Sequence, residues 1–339
     1  MTNFKEYFRS HLKASIRPII YIFAAVLVLS FLMGINLQPS YRYNSAIGER
    51  YIYDYYSTLY IPVVFLCMLA YILPVMEFSF FKKRINLDCA YSLPISRRAM
   101  GAVHYLTGLM ILFGAFTASY LLNFVLLLSR GPGWFYFTPM IAHYFLCLIL
   151  GFAMYSVMAF VFNEANTKGD GIWFMILYTF VFVLTVTAIA QITDNWQLSD
   201  SAYGAIPWGI VDQMTTLYQR VVEGNKGSIS ALWNKPEFVG GFIFWVVAGI
   251  AAAVDFFRTF GKRRMERTEE ISDSYLGFRT LIPVYAVTGM ITFSVWDDII
   301  FWVIIEFFAI LGYTIYRRGF HYKKSDIAVL CLLIIFLFV

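Results

Sequence analysis

The sequence predicts an all-α, polytopic integral membrane protein with eight or nine transmembrane helices and an N-terminal interfacial amphipathic helix. Three observations lead there. Of 339 residues, 60% are hydrophobic and only 14% charged, against about 45–50% and about 25% in an ordinary soluble domain. The apolar residues gather in runs almost free of charge, and Lys and Arg alternate between rich and poor loops. This excludes a disordered chain, a disulfide scaffold and a single soluble domain, which could not hide so much apolar surface. Mean hydropathy is +0.67.

The runs are 18–35, 59–81, 99–129, 135–163, 171–193, 238–257, 280–296 and 299–316. Crossing the hydrocarbon core takes roughly 20 residues, with about 17 as a lower limit, so eight runs suffice. A ninth, 327–339, is short, and the chain stops inside it. Either that helix ends flush or a further segment follows. The first span is expected to stay as an anchor, because its charged preface is long and no small-x-small cleavage site follows Ser30.

With the N-terminus in the cytoplasm, the inside segments hold 20 Lys and Arg and the outside segments 6. That is the positive-inside bias. The net charge of +5 therefore reports orientation. Basic residues spread over five loops do not make a nucleic-acid surface, so none is expected as a partner. Cys67, Cys89, Cys147 and Cys331 lie far apart, without metal-site spacing, and read as small hydrophobes.

Before the first span, Phe4, Phe8, Leu12 and Ile16 recur every four residues, and Lys5, Arg9, Lys13 and Arg17 follow one position later. Spacing by four keeps each set on one stripe of a helix lying in the interface. Such a helix is either a plain anchor or a docking element for a cytoplasmic partner.

The first inside loop is the most informative stretch. Lys82-Lys83-Arg84 stops the second span, and Ile85 to Tyr91, including Asp88, is long enough for about two helical turns. Pro94 disfavours helix at Leu93. After Ile95, Ser96 can cap a helix that opens with Arg97-Arg98 and runs into the third span. A short surface helix rigidly joined to a spanning helix can transmit force into the membrane. The bland alternative is an ordinary basic loop.

Two outer loops are distinctive. Residues 36–58 hold six tyrosines, a residue favoured at the membrane interface; the functional alternative is an aromatic lining at an exit. In 194–237, a helix-like apolar stripe from Ile206 to Val221 is interrupted by Pro207 and Gly209. It reads either as a re-entrant segment or as a surface amphipathic helix.

No Walker A pattern, GxSxG, HExxH or Rossmann glycine set occurs. The chain is therefore not expected to be an enzyme, and no cofactor or metal is expected in it. His11, His104, His143 and His321 do not cluster in sequence, and His143 reads as a satisfied polar residue between helices. Glu77 and Asp255 lie near the inner ends of their spans. Glu306 sits in the middle of the eighth, where a carboxylate is costly. Its roles are a contact to a neighbouring helix or proton coupling. The mixed-charge run from Arg258 to Glu270 reads as a solvated connector, with a basic half able to touch anionic lipid.

Tyr91-Ser92-Leu93-Pro94-Ile95-Ser96-Arg97-Arg98, after the second span and before His104-Tyr105, resembles the coupling loop of ABC-2-type transporter permeases, the membrane subunits of bacterial ATP-driven exporters. The N-terminal interfacial helix, the short loop between spans four and five and the long outer loop after span five have counterparts in that family. The resemblance covers roughly 1–260, taken as a six-helix permease core; 261–339 holds two or three additional helices, as in larger Firmicutes-type permeases. It implies that Asp88, Tyr91, Leu93, Pro94, Ile95, Ser96, Arg97 and Arg98 couple to a separate cytoplasmic ATPase subunit, which carries ATP and Mg. It further implies a second permease chain, the same or different, and a multi-pass place in the bacterial cell membrane. The implied function is export of a hydrophobic or amphipathic peptide, drug or lipid-like molecule. The alternatives are a proton-coupled secondary transporter and a non-transporting sensor or immunity subunit of an ABC complex.

Overall fold

The computed structural model describes residues 4–36, 40–44, 50–54, 56–129, 137–193, 209, 236–262, 268–270, 272, 274–293 and 299–336. The chain is helical. Helix α1 is Phe4–Asn36, α2 Tyr56–Phe78, α3 Arg84–Tyr91, α4 Arg97–Leu128, α5 Phe137–Glu164 and α6 Lys168–Ile192. There follow α7 Pro236–Phe260, α8 Phe278–Phe293, α9 Ile299–Arg317 and α10 Lys324–Phe336. Six segments among the described residues are long and apolar enough to cross a membrane: Phe4–Asn36, Tyr60–Lys82, Arg97–Leu128, Met140–Glu164, Lys168–Ile192 and Val239–Phe260. Each overlaps one of the first six apolar runs. Many large apolar side chains on them are exposed, among them Ile20, Val28, Leu121, Phe145, Phe180 and Val247. An apolar outer surface of this kind suits a membrane-embedded protein.

Two differences from the expected elements have physical causes. Strands β1 (Ser40–Asn44) and β2 (Arg50–Asp54) form an antiparallel ribbon that sets Tyr41 opposite Tyr53 and Tyr43 opposite Tyr51. The alternating tyrosines, which read as interfacial, are also strong strand formers. Second, the expected interfacial segment and the first span are one uninterrupted helix, α1, which contains Pro18. Proline removes one main-chain bond from a helix; α1 stays continuous because it packs against α4 before and after Pro18. The stripe of 194–208 and 210–235 lies outside the described residues.

The chain forms two compact units. The first comprises Met1–Phe78, Cys89–Phe160 and Pro207–Arg263; the second comprises Ser79–Asp88, Val161–Ile206 and Arg264–Val339. The expected boundary near 260 falls at the end of the first unit, but two earlier segments also belong to the second.

In the first unit α1 and α4 run parallel. Tyr7 meets His104, and Ser30 Oγ meets Ser119 Oγ at 2.7 Å. Helix α4 is antiparallel to α5, through Tyr105–Ser156 at 2.6 Å near one end and Thr117–Tyr144 at 2.7 Å near the other. It is also antiparallel to α7, whose Phe256 packs on Tyr105 and whose Phe260 lies over Gly101. First and third spans pointing one way, fourth and sixth the other, is the alternation that consecutive crossings require. Helices α5 and α7 approach closely at Gly249, where an added Cβ would stand 2.5 Å from Ala153 Cα. Small residues permit such approach between apolar helices.

In the second unit α6 runs parallel to α8. Phe174 packs on Phe278, the Tyr285 hydroxyl donates to Leu177 O, and Gln191 Nε2 donates to Thr292 O at 2.8 Å. Helix α9 returns antiparallel to α8, with Tyr313 and Tyr316 against Ile282 and Ala309 against Ala286 and Met290. Helix α10 closes on both through Val329 and Leu330. Its start is fixed by Asp326, which accepts from the Lys323 N–H at 3.0 Å, as an acid in the third helical position does in a capping box. Asp326 also accepts both arms of the Arg317 guanidinium, at 2.8 and 3.1 Å.

Candidate functional site

The loop between α2 and α4 takes the local form its residues dictate. Helix α2 tightens into a 3₁₀ turn, Ser79–Lys82, and α3 follows at Arg84–Tyr91. Residues 92–95 are bent, as Pro94 requires. Ser96 adopts an extended backbone, and its hydroxyl accepts the Ala99 N–H at 3.2 Å to cap α4. Asp88, Leu93, Pro94, Ser96, Arg97 and Arg98 are exposed and Ile95 is half-buried. Ile85 is 84% exposed. The Tyr91 side chain lies outside the described residues.

The base of this loop is anchored in a way the sequence did not announce. Lys82 read as one of three stop charges, yet it is buried. Its ammonium donates to Asn163 O at 3.1 Å and Ala165 O at 2.6 Å, and lies over the Phe162 ring. A cation thus caps the carbonyl end of α5, where the helix leaves acceptors unsatisfied. Arg84 Nε donates to Thr268 O at 2.8 Å, and its guanidinium approaches Glu270 at 3.5 Å. The end of the run expected to be a solvated connector, with the residues just after it, is therefore a strap over 164–170, with Thr268 and Ser272 buried. The Ser272 hydroxyl accepts the Asn166 N–H at 2.7 Å and donates to Asp170 at 2.5 Å; Ser274 donates to Glu164 at 3.1 Å. Residues 263–267 of that run lie outside the described residues.

A second polar centre belongs to the first unit. Glu77, in the last turn of α2, and His104, two turns into α4, are buried. Glu77 Oε2 stands 3.1 Å from both His11 Nε2 and His104 Nδ1. The two imidazole rings are 4.0 Å apart and tilted by 49°. The Tyr7 hydroxyl lies 3.4 Å from His104 Nε2. An ionised carboxylate only accepts, so both nitrogens that face Oε2 carry hydrogens. His104 Nε2 then accepts from Tyr7. Among the described residues this is the group whose His and carboxylate donor atoms all lie within 4.8 Å of one another. The histidines are 93 positions apart, so sequence gave no cluster. The available signal was indirect: a lone acid and a lone histidine sit at the ends of apolar runs that topology brings to one face.

The remaining residues singled out in the sequence are placed as follows. Phe4 and Phe8 stack at 6.2 Å. Lys5, Arg9 and Lys13 are exposed, and Leu12 is half-buried. His143 is buried, with Tyr120 Oη at 3.4 Å and Cys147 Sγ at 3.6 Å. Asp255 faces Arg258 one turn on, both exposed. Glu306 Oε2 is buried and has no hydrogen-bond partner among the described residues. No family model matches the chain, and neither a curated protein nor a solved structure is similar to it.

Proposed function

We propose that this chain is the membrane-spanning permease subunit of an ATP-driven exporter. The observation that carries the reading is the short helix α3 joined through a capped bend to α4. That helix of 32 residues rises about 48 Å, enough to carry a push at the loop through the whole bilayer. Exposed Ile85, Leu93, Arg97 and Arg98 give a separate cytoplasmic ATPase subunit apolar and basic contacts. ATP, Mg and hydrolysis then belong to that partner. A second permease chain, identical or not, completes a path for a hydrophobic or amphipathic peptide, drug or lipid-like molecule.

In this reading the N-terminus faces the cytoplasm of a bacterium, as the 20 to 6 division of Lys and Arg supports. Helices α8, α9 and α10, of 16, 19 and 13 residues, add two or three crossings to the six. The parallel pairing of α6 with α8 and the antiparallel return of α9 fit that alternation.

Purification in detergent followed by mass spectrometry tests the reading. An ATPase subunit should co-purify, and replacing 93–98 by a Gly/Ser segment should release it and abolish export. An intact chain with no ATPase, or full function after that replacement, overturns it. A second reading, a proton-coupled carrier, is favoured by the unpartnered oxygen of Glu306. It predicts that Glu306→Gln stops transport while ATP is dispensable.

A further inference from the structure

We propose that His11, Glu77 and His104 bind one divalent transition-metal ion of the zinc type, which staples α1 to α2 and α4. The donor set is the first argument. Two imidazole nitrogens and one carboxylate oxygen form a set that zinc accepts, with a fourth position left for water. Convergence is the second. Both nitrogens already stand 3.1 Å from the same oxygen. Ligands at about 2.0–2.1 Å from a tetrahedral ion lie about 3.3 Å from one another, so these two edges already match a coordination sphere, and all three donor atoms lie within 4.8 Å of one another.

The surroundings supply the third argument. A histidine that ligates through one nitrogen is ordinarily oriented by a hydrogen bond at the other. His104 faces the site with Nδ1, and Tyr7 Oη stands at its Nε2. Once Nδ1 holds an ion, Nε2 carries the hydrogen and donates to Tyr7, so the same contact serves with its direction reversed.

Charge is the fourth. With neutral imidazoles the centre holds one negative charge on a buried carboxylate, beside 8% exposed His104 and 15% exposed His11. A divalent cation converts that into a small net positive charge shared over three ligands. His11 is the most exposed of the three and marks the side of entry. Because the ligands come from three helices, the site exists only when α1 is docked. Bound metal therefore favours the docked position of the helix that carries Lys5, Arg9 and Lys13.

The test uses the full chain, purified in detergent with an affinity tag free of histidine and stripped with a chelator. Zinc is the probe, read by elemental analysis and thermal unfolding; cobalt is the spectroscopic probe. One zinc per chain, a raised unfolding midpoint and the intense visible absorption of four-coordinate cobalt are expected. His11→Gln, Glu77→Gln and His104→Gln should each weaken binding by more than about a hundredfold, and Tyr7→Phe by about tenfold. His321→Gln, at an exposed site, should leave it unchanged. X-ray absorption of the zinc-loaded wild type should count two imidazoles, a result independent of any variant's folding. Absence of zinc binding at about ten micromolar, a first shell without imidazole, or equal zinc binding by well-folded His11→Gln and His104→Gln overturns the proposal. The triad would then be a hydrogen-bonded helix contact alone.

Discussion

In the first unit, polar side chains meet polar side chains inside an apolar bundle: Ser30 with Ser119, Tyr105 with Ser156, Thr117 with Tyr144, Glu77 with two histidines. In the second, several donors meet main-chain carbonyls instead, beside side-chain pairs such as Ser272 with Asp170 and Arg317 with Asp326. Lys82 serves Asn163 and Ala165, Arg84 serves Thr268, Tyr178 serves Leu276, Tyr285 serves Leu177, and Gln191 serves Thr292. A side-chain pair can break from either side, and the helices that carry it must approach to a fixed distance. A carbonyl is supplied by any residue, so at those contacts of the second unit the donors hold the information. The first unit should be sensitive to packing volume, and the second to the loss of single donors.

The sharpest way to break the first unit is Gly249→Val. Its Cβ would press on the Ala153 backbone, which cannot rotate away; a cost of about 3 kcal/mol is expected. Gly240→Ala, with nothing within 4 Å of the new methyl, should leave the detergent unfolding midpoint within the noise or slightly raised. Equal effects at the two glycines would remove the volume half of the comparison.

In the second unit Lys82→Met should cost about 2–3 kcal/mol, because two carbonyls at the end of α5 lose a charged donor. Lys83→Met, at an exposed neighbour, should cost almost nothing. Arg317→Met should cost about 2 kcal/mol, leaving the buried Asp326 carboxylate without its fork. Burial alone would raise that carboxyl; the Arg317 bonds, with help from Lys323 N–H and Ser325, outweigh it and hold it below the usual range. A depressed folded value means that the contribution is present above about pH 4. It is lost as pH falls through the depressed value. Acid unfolding curves of wild type and Asp326→Asn should therefore converge only at the acid end.

The smallest effect is expected at the strap. Ser272→Ala removes a hydroxyl that both accepts from Asn166 and donates to Asp170, and should cost about 1 kcal/mol. Hydrogen exchange at Asn166 should speed up with little change in the global midpoint. An unchanged Asn166 rate would show that the strap does not need this serine.

Much of the helical architecture was legible in the residues themselves. Six apolar runs became six helices, the first extended back to Phe4, because uncharged stretches of this length satisfy their main chain internally in lipid. Ser96 and Pro94 also marked the end of α3 and the start of α4, since capping and proline geometry are local. Lys82 does end its span, but its hold on the end of α5 was not legible, for the opposite reason. Its neighbours in sequence are Lys83 and Arg84, and nothing near it shows that the end of α5 lies within reach of its ammonium. The tyrosines of 36–58 carried two propensities, and pairing across the ribbon selected the strand.

By itself the sequence determined that the chain is helical and apolar enough for a membrane, where six long helices lie, and how the bend after α3 is made. Period, composition and capping act over a few residues, so they can be read in order. Only the tertiary structure decided that His11, Glu77 and His104 meet, that Lys82 and Arg84 hold carbonyls more than 80 positions away, and that Thr268, Ser272 and Ser274 belong to a strap. These depend on which helix faces pack together, and residues distant in the chain become neighbours only through that packing.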